Sequence, residues 1–368
     1  MLSETFVSGE LRELRRLGED PALVAIVRGA DAPPPGCPDA RYATELRAGE
    51  QLLALAALLV RRPLRTLHAL ARPGFGGSAR DVAALAPLAR ELAGARHVHA
   101  HFADRPAALA ARLAALTGSS FSFTAHAWDV FTGWDRVDEK LEAAAFGVTV
   151  CEYNRRYIAG RAPEQADKLE VVVCGVDPGE FRRSRPYDPD GPLVAVGRLV
   201  EQKGFADLVQ AAAIGRGRIP QVVIAGEGPE RARLEALIAE SGADVRLAGA
   251  LPHAQIRALY ESASAAVLPC VVAVDGSRDS MPVSLKEAMA LELPVVGTNE
   301  VGIPEMVGPD RGLLVPPGDP EALAAALIDL HGRPAQERAA MGKTGRAFVA
   351  ERCNLRTETA RLRALFPL

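Results

Sequence analysis

The chain has 368 residues, of which 48% are apolar and 24% charged, and its net charge is −3. That length exceeds what one core usually reaches, so two domains of roughly 150–200 residues are expected. The balanced charge leaves no electrostatic footprint for nucleic acid. The five cysteines, Cys37, Cys151, Cys174, Cys270 and Cys353, form no CxxC pair, which argues for a reducing, cytoplasmic setting.

The opening residues, Met1-Leu2-Ser3-Glu4-Thr5, have neither the charged nor the apolar region of a signal peptide. They read as helix, with Ser3 a candidate N-cap ahead of Leu11, Leu14 and Leu17. A doubly wound domain ordinarily opens on a buried strand, so a first strand is expected to be missing. The longest apolar run, Leu52–Val60, falls well short of the ~20 residues that span a bilayer. It leads into Arg61, Arg62, Arg65 and Arg72. Two readings of residues 52–72 stay open: a basic amphipathic face at the inner surface of a membrane, or a helix packed on the sheet with a solvated edge.

Beyond this point short β-branched runs alternate with Ala/Leu/Arg/Glu-rich helical stretches, the pattern of parallel sheets covered by helices, so the fold class is α/β. Strand candidates in the first half are Leu23–Val27, His97–His101, Phe121–Ala125, Val148–Cys151 and Val171–Cys174. Those in the second are Leu193–Val196, Gln221–Ala225, Val245–Ala248, Ala265–Leu268, Pro294–Gly297 and Gly312–Val315. The Pro-, Arg- and Asp-rich stretch from Arg182 to Pro192 marks a linker. The expected domains are 1–180, a linker over 181–192, 193–350, and a C-terminal helix within 351–368 packing back towards the first.

His97, His99 and His101 recur at period two on one strand face, which invites a metal reading. A strand end with no Asp, Glu or Cys nearby is the simpler account, and no metal site is expected. His126 closes the run Phe121–Ala125 at a strand's carboxyl end. There it could bond a substrate hydroxyl or act as acid–base, or be a satisfied core histidine.

After the strand Leu193–Val196 comes Gly197-Arg198-Leu199-Val200-Glu201-Gln202-Lys203-Gly204. The glycines permit tight turns, and Arg198 and Lys203 bring two cations to a strand's carboxyl end, where a diphosphate is suited. Ala225-Gly226-Glu227-Gly228-Pro229 permits close approach of a ligand but is no dinucleotide fingerprint. In Asp279-Ser280-Met281-Pro282-Val283-Ser284-Leu285-Lys286-Glu287, Pro282 suits the opening of a helix and Ser284 with Glu287 resembles a capping box. The backbone N–H groups there form an anion site, and Asp279 and Glu287 flank it as acceptors for sugar and ribose hydroxyls. Gly342-Lys343-Thr344 and Asp188-Pro189-Asp190 only mimic phosphate and metal motifs, because their surroundings are wrong.

Taken together these segments resemble the GT-B glycosyltransferases of family four. The resemblance is carried, in order, by Leu2-Ser3-Glu4-Thr5-Phe6, His99-Ala100-His101-Phe102, Phe123-Thr124-Ala125-His126, Cys151-Glu152-Tyr153-Asn154, Gly175-Val176-Asp177, Val196-Gly197-Arg198-Leu199, Ala225–Pro229, Glu287-Ala288-Met289-Ala290 and Gly302-Ile303-Pro304-Glu305.

The resemblance implies two Rossmann-like domains facing across a cleft and retaining transfer of a hexose from a nucleoside diphosphate, a UDP or GDP sugar, with no cofactor. Arg198 and Lys203 would bind the diphosphate, and the backbone of Ser280, Met281, Pro282, Val283 and Ser284 would hold phosphate and sugar. Glu287 would accept from ribose, Asp279 from the hexose, and His126 would meet the hexose near its reacting face. The acceptor, a saccharide, lipid-linked saccharide or small molecule, is not specified.

Three departures stand out. Asp279 shortens the first carboxylate of the family's E-x7-E pair, Cys174 replaces a usual asparagine, and Ala127 a frequent glycine. The family's opening strand and glycine loop are also expected upstream of Ser-Glu-Thr-Phe. The alternatives are therefore a start internal to a longer frame, or an impaired relative that binds sugar nucleotide or partners an active transferase.

Overall fold

The computed structural model describes residues 5–26, 40–42, 47–71, 79–133 and 136–367. Leu2 to Glu4, Val27, Cys37 and Arg72, each given a part above, lie outside them. The chain divides into two compact units, Met1–Val172 with Arg356–Leu368, and Val173–Leu355.

In the first unit β1 (Val24–Ala25) pairs with β2 (Arg41–Tyr42) in a small parallel sheet. The main sheet holds β3 (His97–His101), β4 (Ser120–Ala125), β5 (Phe146–Thr149) and β6 (Leu169–Val171), side by side in chain order and all parallel. Parallel strands need covered faces. Helices Ala48–Arg61, Ala79–Glu91 and Arg105–Thr117 join in a core of Leu58, Leu85, Leu88, Leu113 and Leu116. The last helix, Leu355–Leu365, sets Leu362 against Phe146, Val148 and Val172.

The second unit is a six-stranded parallel sheet of β7 (Leu193–Val196), β8 (Val222–Ala225), β9 (Val245–Gly249), β10 (Ala265–Leu268), β11 (Val295–Thr298) and β12 (Gly312–Val315). Their spatial order is β12-β11-β10-β7-β8-β9. The chain winds outward from β7 through β8 to β9, then returns to β10 and winds the other way, which is the doubly wound order. The reversal between β7 and β10 splays the following loops apart and leaves room for a ligand at the carboxyl ends.

The stretch expected as a linker belongs to this unit. Arg183 donates to the carbonyls of Leu291 and Glu261, Ser184 to the Glu261 carboxylate, and the Tyr187 hydroxyl to the Ser264 carbonyl. Its proline-rich composition reflects an irregular path over the surface rather than freedom. The phosphate-motif mimic Gly342-Lys343-Thr344 lies inside helix Ala335–Arg352, where a side chain at Gly342 would reach within 1.9 Å of the Glu292 carbonyl. Close helix packing accounts for that glycine. Among the described residues no helix is long and apolar enough to cross a membrane.

Candidate functional site

At the reversal point of the second unit the loop after β7 meets the loop after β10. The Lys203 ammonium lies 2.7 Å from the Asp279 carboxylate, and the Cys270 thiol is 3.6 Å from the same oxygen. Burial lowers the affinity of Lys203 for its proton, but Asp279 and Cys270 beside it together more than offset this, so the ammonium is held above its ordinary value. Arg198, on the same loop, acts on Lys203 with an opposing, like-charge effect.

Backbone bonds fix these loops to one another. Val271 N–H donates to the Gln202 carbonyl, the Thr298 hydroxyl to the Cys270 carbonyl, and Gly302 N–H to the Ser280 carbonyl. Val301 adopts φ +46, a strained conformation for a β-branched residue, and holds the turn that brings Gly302 to Ser280.

The helix after this loop runs Val283–Ala290 with Pro282 at its N-cap, and no side chain caps it. The capping box expected from Ser284 and Glu287 is therefore not formed. Pro282 takes the cap position, which puts Ser284 in the first turn and Glu287 a full turn inside. The first-turn N–H groups are left for another acceptor. Glu287 instead approaches His253, whose Nε2 is 3.7 Å away and whose Nδ1 is 3.2 Å from Glu180. Burial raises Glu287 above its ordinary value, and His253 is raised mainly by Glu287. Neither His253 nor Glu180 is marked by any motif; a surface histidine opening a helix carries no sequence signal. Beside Glu287, the buried Lys286 ammonium bonds the Cys174 carbonyl at 2.6 Å. That contact uses the backbone, so the asparagine-to-cysteine departure does not touch it.

In the first unit two of the three histidines of β3, His97 and His99, face the hydroxyls of β4. His97 bonds Ser120 and Ser122, both at 2.6 Å, and His99 bonds Ser122 at 2.7 Å and Thr124 at 2.9 Å. Phe146 stacks on His97 at 5.7 Å, and Phe366 lies 4.9 Å from it. Burial under these rings lowers His97 to about 4, and burial holds His99 well below its ordinary value, so both are neutral. The absence of an acid expected near this row is corrected: Glu10, 91 residues away, reaches His101 Nε2 at 3.1 Å. Glu10, His99 and His101 bring possible ligand atoms within 4.8 Å of one another. Both nitrogens of each histidine are already spent on hydrogen bonds, so the group reads as a hydrogen-bonded array.

His126, directly after β4, is buried. Its N–H and that of Ala103 both donate to Asp129, at 3.0 and 2.7 Å. Burial raises Asp129 from 3.8 to about 6. A carboxyl whose folded value is raised stabilises the fold most below its unfolded value, and that contribution is lost as pH climbs through about 6. Unfolding by urea between about pH 4 and 7 should therefore show a decline of about 3 kcal/mol that Asp129→Asn removes. Equal slopes in both proteins would refute the assignment.

Residues 191–333 match the family model described as glycosyl transferases group 1. Over these residues the chain is similar to the group 1 glycosyl transferases. The family match covers β7 to β12, and hence the whole reversal-point site. The amylovoran biosynthesis glycosyltransferase AmsK of Erwinia amylovora is 36% identical over 172 residues, 45% of this chain and 42% of that protein. The chain matches less than half the length of such curated relatives. A glycosyltransferase from Rickettsia africae superposes with TM-score 0.71 at 16% identity, covering 98% of this chain and 93% of that one. Anabaena Alr3699/HepE in complex with UDP superposes with TM-score 0.66 at 17% identity over 76% and 81%. Such likeness shows the fold, that of the GT-B glycosyltransferases, with two α/β units each built on a parallel sheet.

Proposed function

We propose that the chain is a cytoplasmic, retaining glycosyltransferase that moves a hexose from a nucleoside-diphosphate sugar to a saccharide, lipid-linked saccharide or small-molecule acceptor. The observation that carries this reading is the reversal-point cluster, in which Lys203 pairs with Asp279 at 2.7 Å, Arg198 sits on the same loop after β7, and the helix Val283–Ala290 that follows Asp279 starts without a side-chain cap. Two cations on the loop after β7 and a helix start with uncapped N–H groups after the loop of β10 suit a diphosphate, and a carboxylate beside bound phosphate needs hydroxyl donors. In the transfer, the bond from the anomeric carbon to the β-phosphate oxygen breaks and one to the acceptor oxygen forms on the same face. The acceptor's proton passes to the leaving phosphate. Arg198 and Lys203 offset the charge that grows there, the task a divalent metal performs in other transferases.

In this reading the backbone of Ser280 to Ser284 holds phosphate and sugar, Glu287 accepts from ribose, Asp279 from the hexose, and His126 from a hexose hydroxyl. UDP or GDP is the expected nucleotide, and the UDP complex of the HepE structure supports the former class. Calorimetric titration with UDP, GDP, ADP and their sugars tests it. Selective binding that is lost in Lys203→Ala and in Glu287→Ala is the expected result, and no binding by the folded protein would sink it.

We also propose contact with an anionic membrane surface through residues 52–72. Leu53, Val60, Leu64 and Leu67 are 73%, 83%, 81% and 53% exposed. They recur at helical spacing along helices Ala48–Arg61 and Pro63–Ala71, with Arg61 and Arg65 exposed among them. An apolar stripe with basic neighbours fits an acyl–headgroup boundary. Sedimentation with anionic vesicles should retain the wild type and release Val60→Glu/Leu64→Glu. Equal retention of both proteins, or equal binding to neutral vesicles, would count against it.

A further inference from the structure

In the second unit one imidazole stands between two carboxylates. His253 opens the helix His253–Glu261, with Pro252 at its N-cap. Its Nδ1 lies 3.2 Å from Glu180 and its Nε2 3.7 Å from Glu287. Glu287, in the helix Val283–Ala290, is buried, whereas His253 and Glu180 are 44% and 43% exposed. No other side chain among the described residues comes within ion-pair distance of the Glu287 carboxylate.

Helix stability does not account for this placement. The start of a helix favours anions, so a histidine that takes up a proton there sits at the wrong end of the dipole. The two carboxylates offset this and raise His253 above its ordinary 6.5. A carboxylate only accepts, so a neutral imidazole, with one N–H, serves one of the two, and the imidazolium serves both. At Glu287 burial favours the uncharged form, and His253 is the largest influence against it. Without His253 the buried carboxylate would hold its proton more tightly and turn from acceptor towards donor.

We propose that His253, braced by Glu180, is a positioning residue that engages one oxygen of Glu287 and presents the other, ionised, to the vicinal hydroxyls of a ribose. The inference rests on the reading of Glu287 as the ribose acceptor and adds the residues that orient it. The brace is itself anchored: Arg257 donates to the Glu180 carbonyl at 3.2 Å, and Arg346 to the carbonyls of Phe181 and Pro178 at 2.9 and 3.1 Å. The Phe181 ring stands edge-on to the imidazole at 4.8 Å. The other titratable groups beside Glu287 are engaged with backbone, Lys286 with the Cys174 carbonyl at 2.6 Å and the Tyr260 hydroxyl with the Ser284 carbonyl at 2.9 Å. Holding the carboxylate is left to His253.

An NMR titration of the histidines, with His253 assigned through its contact with the Phe181 ring, should place it above 6.5 in the wild type, and Glu287→Gln and Glu180→Gln should each lower it. Calorimetry at about pH 7 with UDP, GDP and their 2′,3′-dideoxy forms reads the link to ribose. His253→Ala should weaken whichever nucleotide the wild type binds about tenfold, while the dideoxy form of that nucleotide binds both proteins alike. In sugar transfer donor KM should rise by a similar factor with kcat little changed. Equal weakening of the natural and dideoxy forms would overturn the proposal. So would a wild-type His253 that titrates at or below its ordinary value, a result that stands even if His253→Ala fails to fold. A raised His253 in a folded wild type that binds neither nucleotide would instead remove the transferase reading, and the ribose role with it.

Discussion

Lys203→Ala is expected to lower sugar transfer by about 10²–10³ in kcat/KM, a loss of roughly 3–4 kcal/mol of transition-state stabilisation. The size follows from what is left behind. Lys203 pairs with Asp279 at 2.7 Å, so its removal deletes a cation from the diphosphate site and also exposes an unpaired carboxylate to the phosphates. Arg198→Ala leaves the Lys203–Asp279 pair intact and should cost less, about 10-fold to 100-fold. Asp279→Asn separates the two effects: it frees Lys203 for phosphate while weakening the acceptor for the hexose, so nucleoside diphosphate should bind as well or better and transfer should fall. Initial rates with saturating acceptor, together with calorimetry on the diphosphate alone, measure both. Equal losses for Lys203→Ala and Arg198→Ala would mean that the ion pair has no part in the site.

Gly204→Ala is expected to destabilise the second unit by about 2–5 kcal/mol, from a left-handed backbone of about 1–2 kcal/mol plus overpacking of about 1–3. Gly204 has φ +66, and a side chain there would come within 1.8 Å of the Pro269 carbonyl oxygen. That oxygen belongs to backbone just past β10, so relief requires the loop carrying Lys203 to move away from the loop carrying Asp279. Gly276 provides the control. It has φ +82 but nothing within 4 Å of its would-be side chain, so Gly276→Ala should cost only the conformational share, about 1–2 kcal/mol. Urea midpoints for the two variants decide the matter; equal destabilisation would show that the approach to Pro269 is relieved without cost.

How much of this could be read in advance varied with the range of the interaction. The runs Leu193–Val196, Ala265–Leu268 and Gly312–Val315 match β7, β10 and β12 residue for residue, because a buried parallel strand is an uninterrupted β-branched or apolar run bounded by turn residues. β2, the pair Arg41–Tyr42, was not expected: two polar residues have no periodicity, and only pairing with β1 makes them a strand. The capping box failed for a local reason, since Pro282 and Ser284 competed for the same role and proline took the cap. Arg198, Lys203, Asp279 and Glu287 were singled out through motif order, yet the Lys203–Asp279 bond depends on where the sheet reverses. His253 and Glu10 carried no signal at all. One meets Glu287 from a different helix, and the other meets His101 across 91 residues.

The histidine row has a consequence for assembly of the first unit. β3 and β4 are joined by a helical crossover, so no tight turn dictates how they align. Sliding β4 by one residue would present Phe121 and Phe123 to the imidazoles and strand four half-buried ring nitrogens that now meet Ser120, Ser122 and Thr124. Each stranded group costs roughly 1–3 kcal/mol. Hydroxyls matched to imidazoles thus serve as a proof-reading key for strand registry, rejecting pairings that apolar packing alone would tolerate.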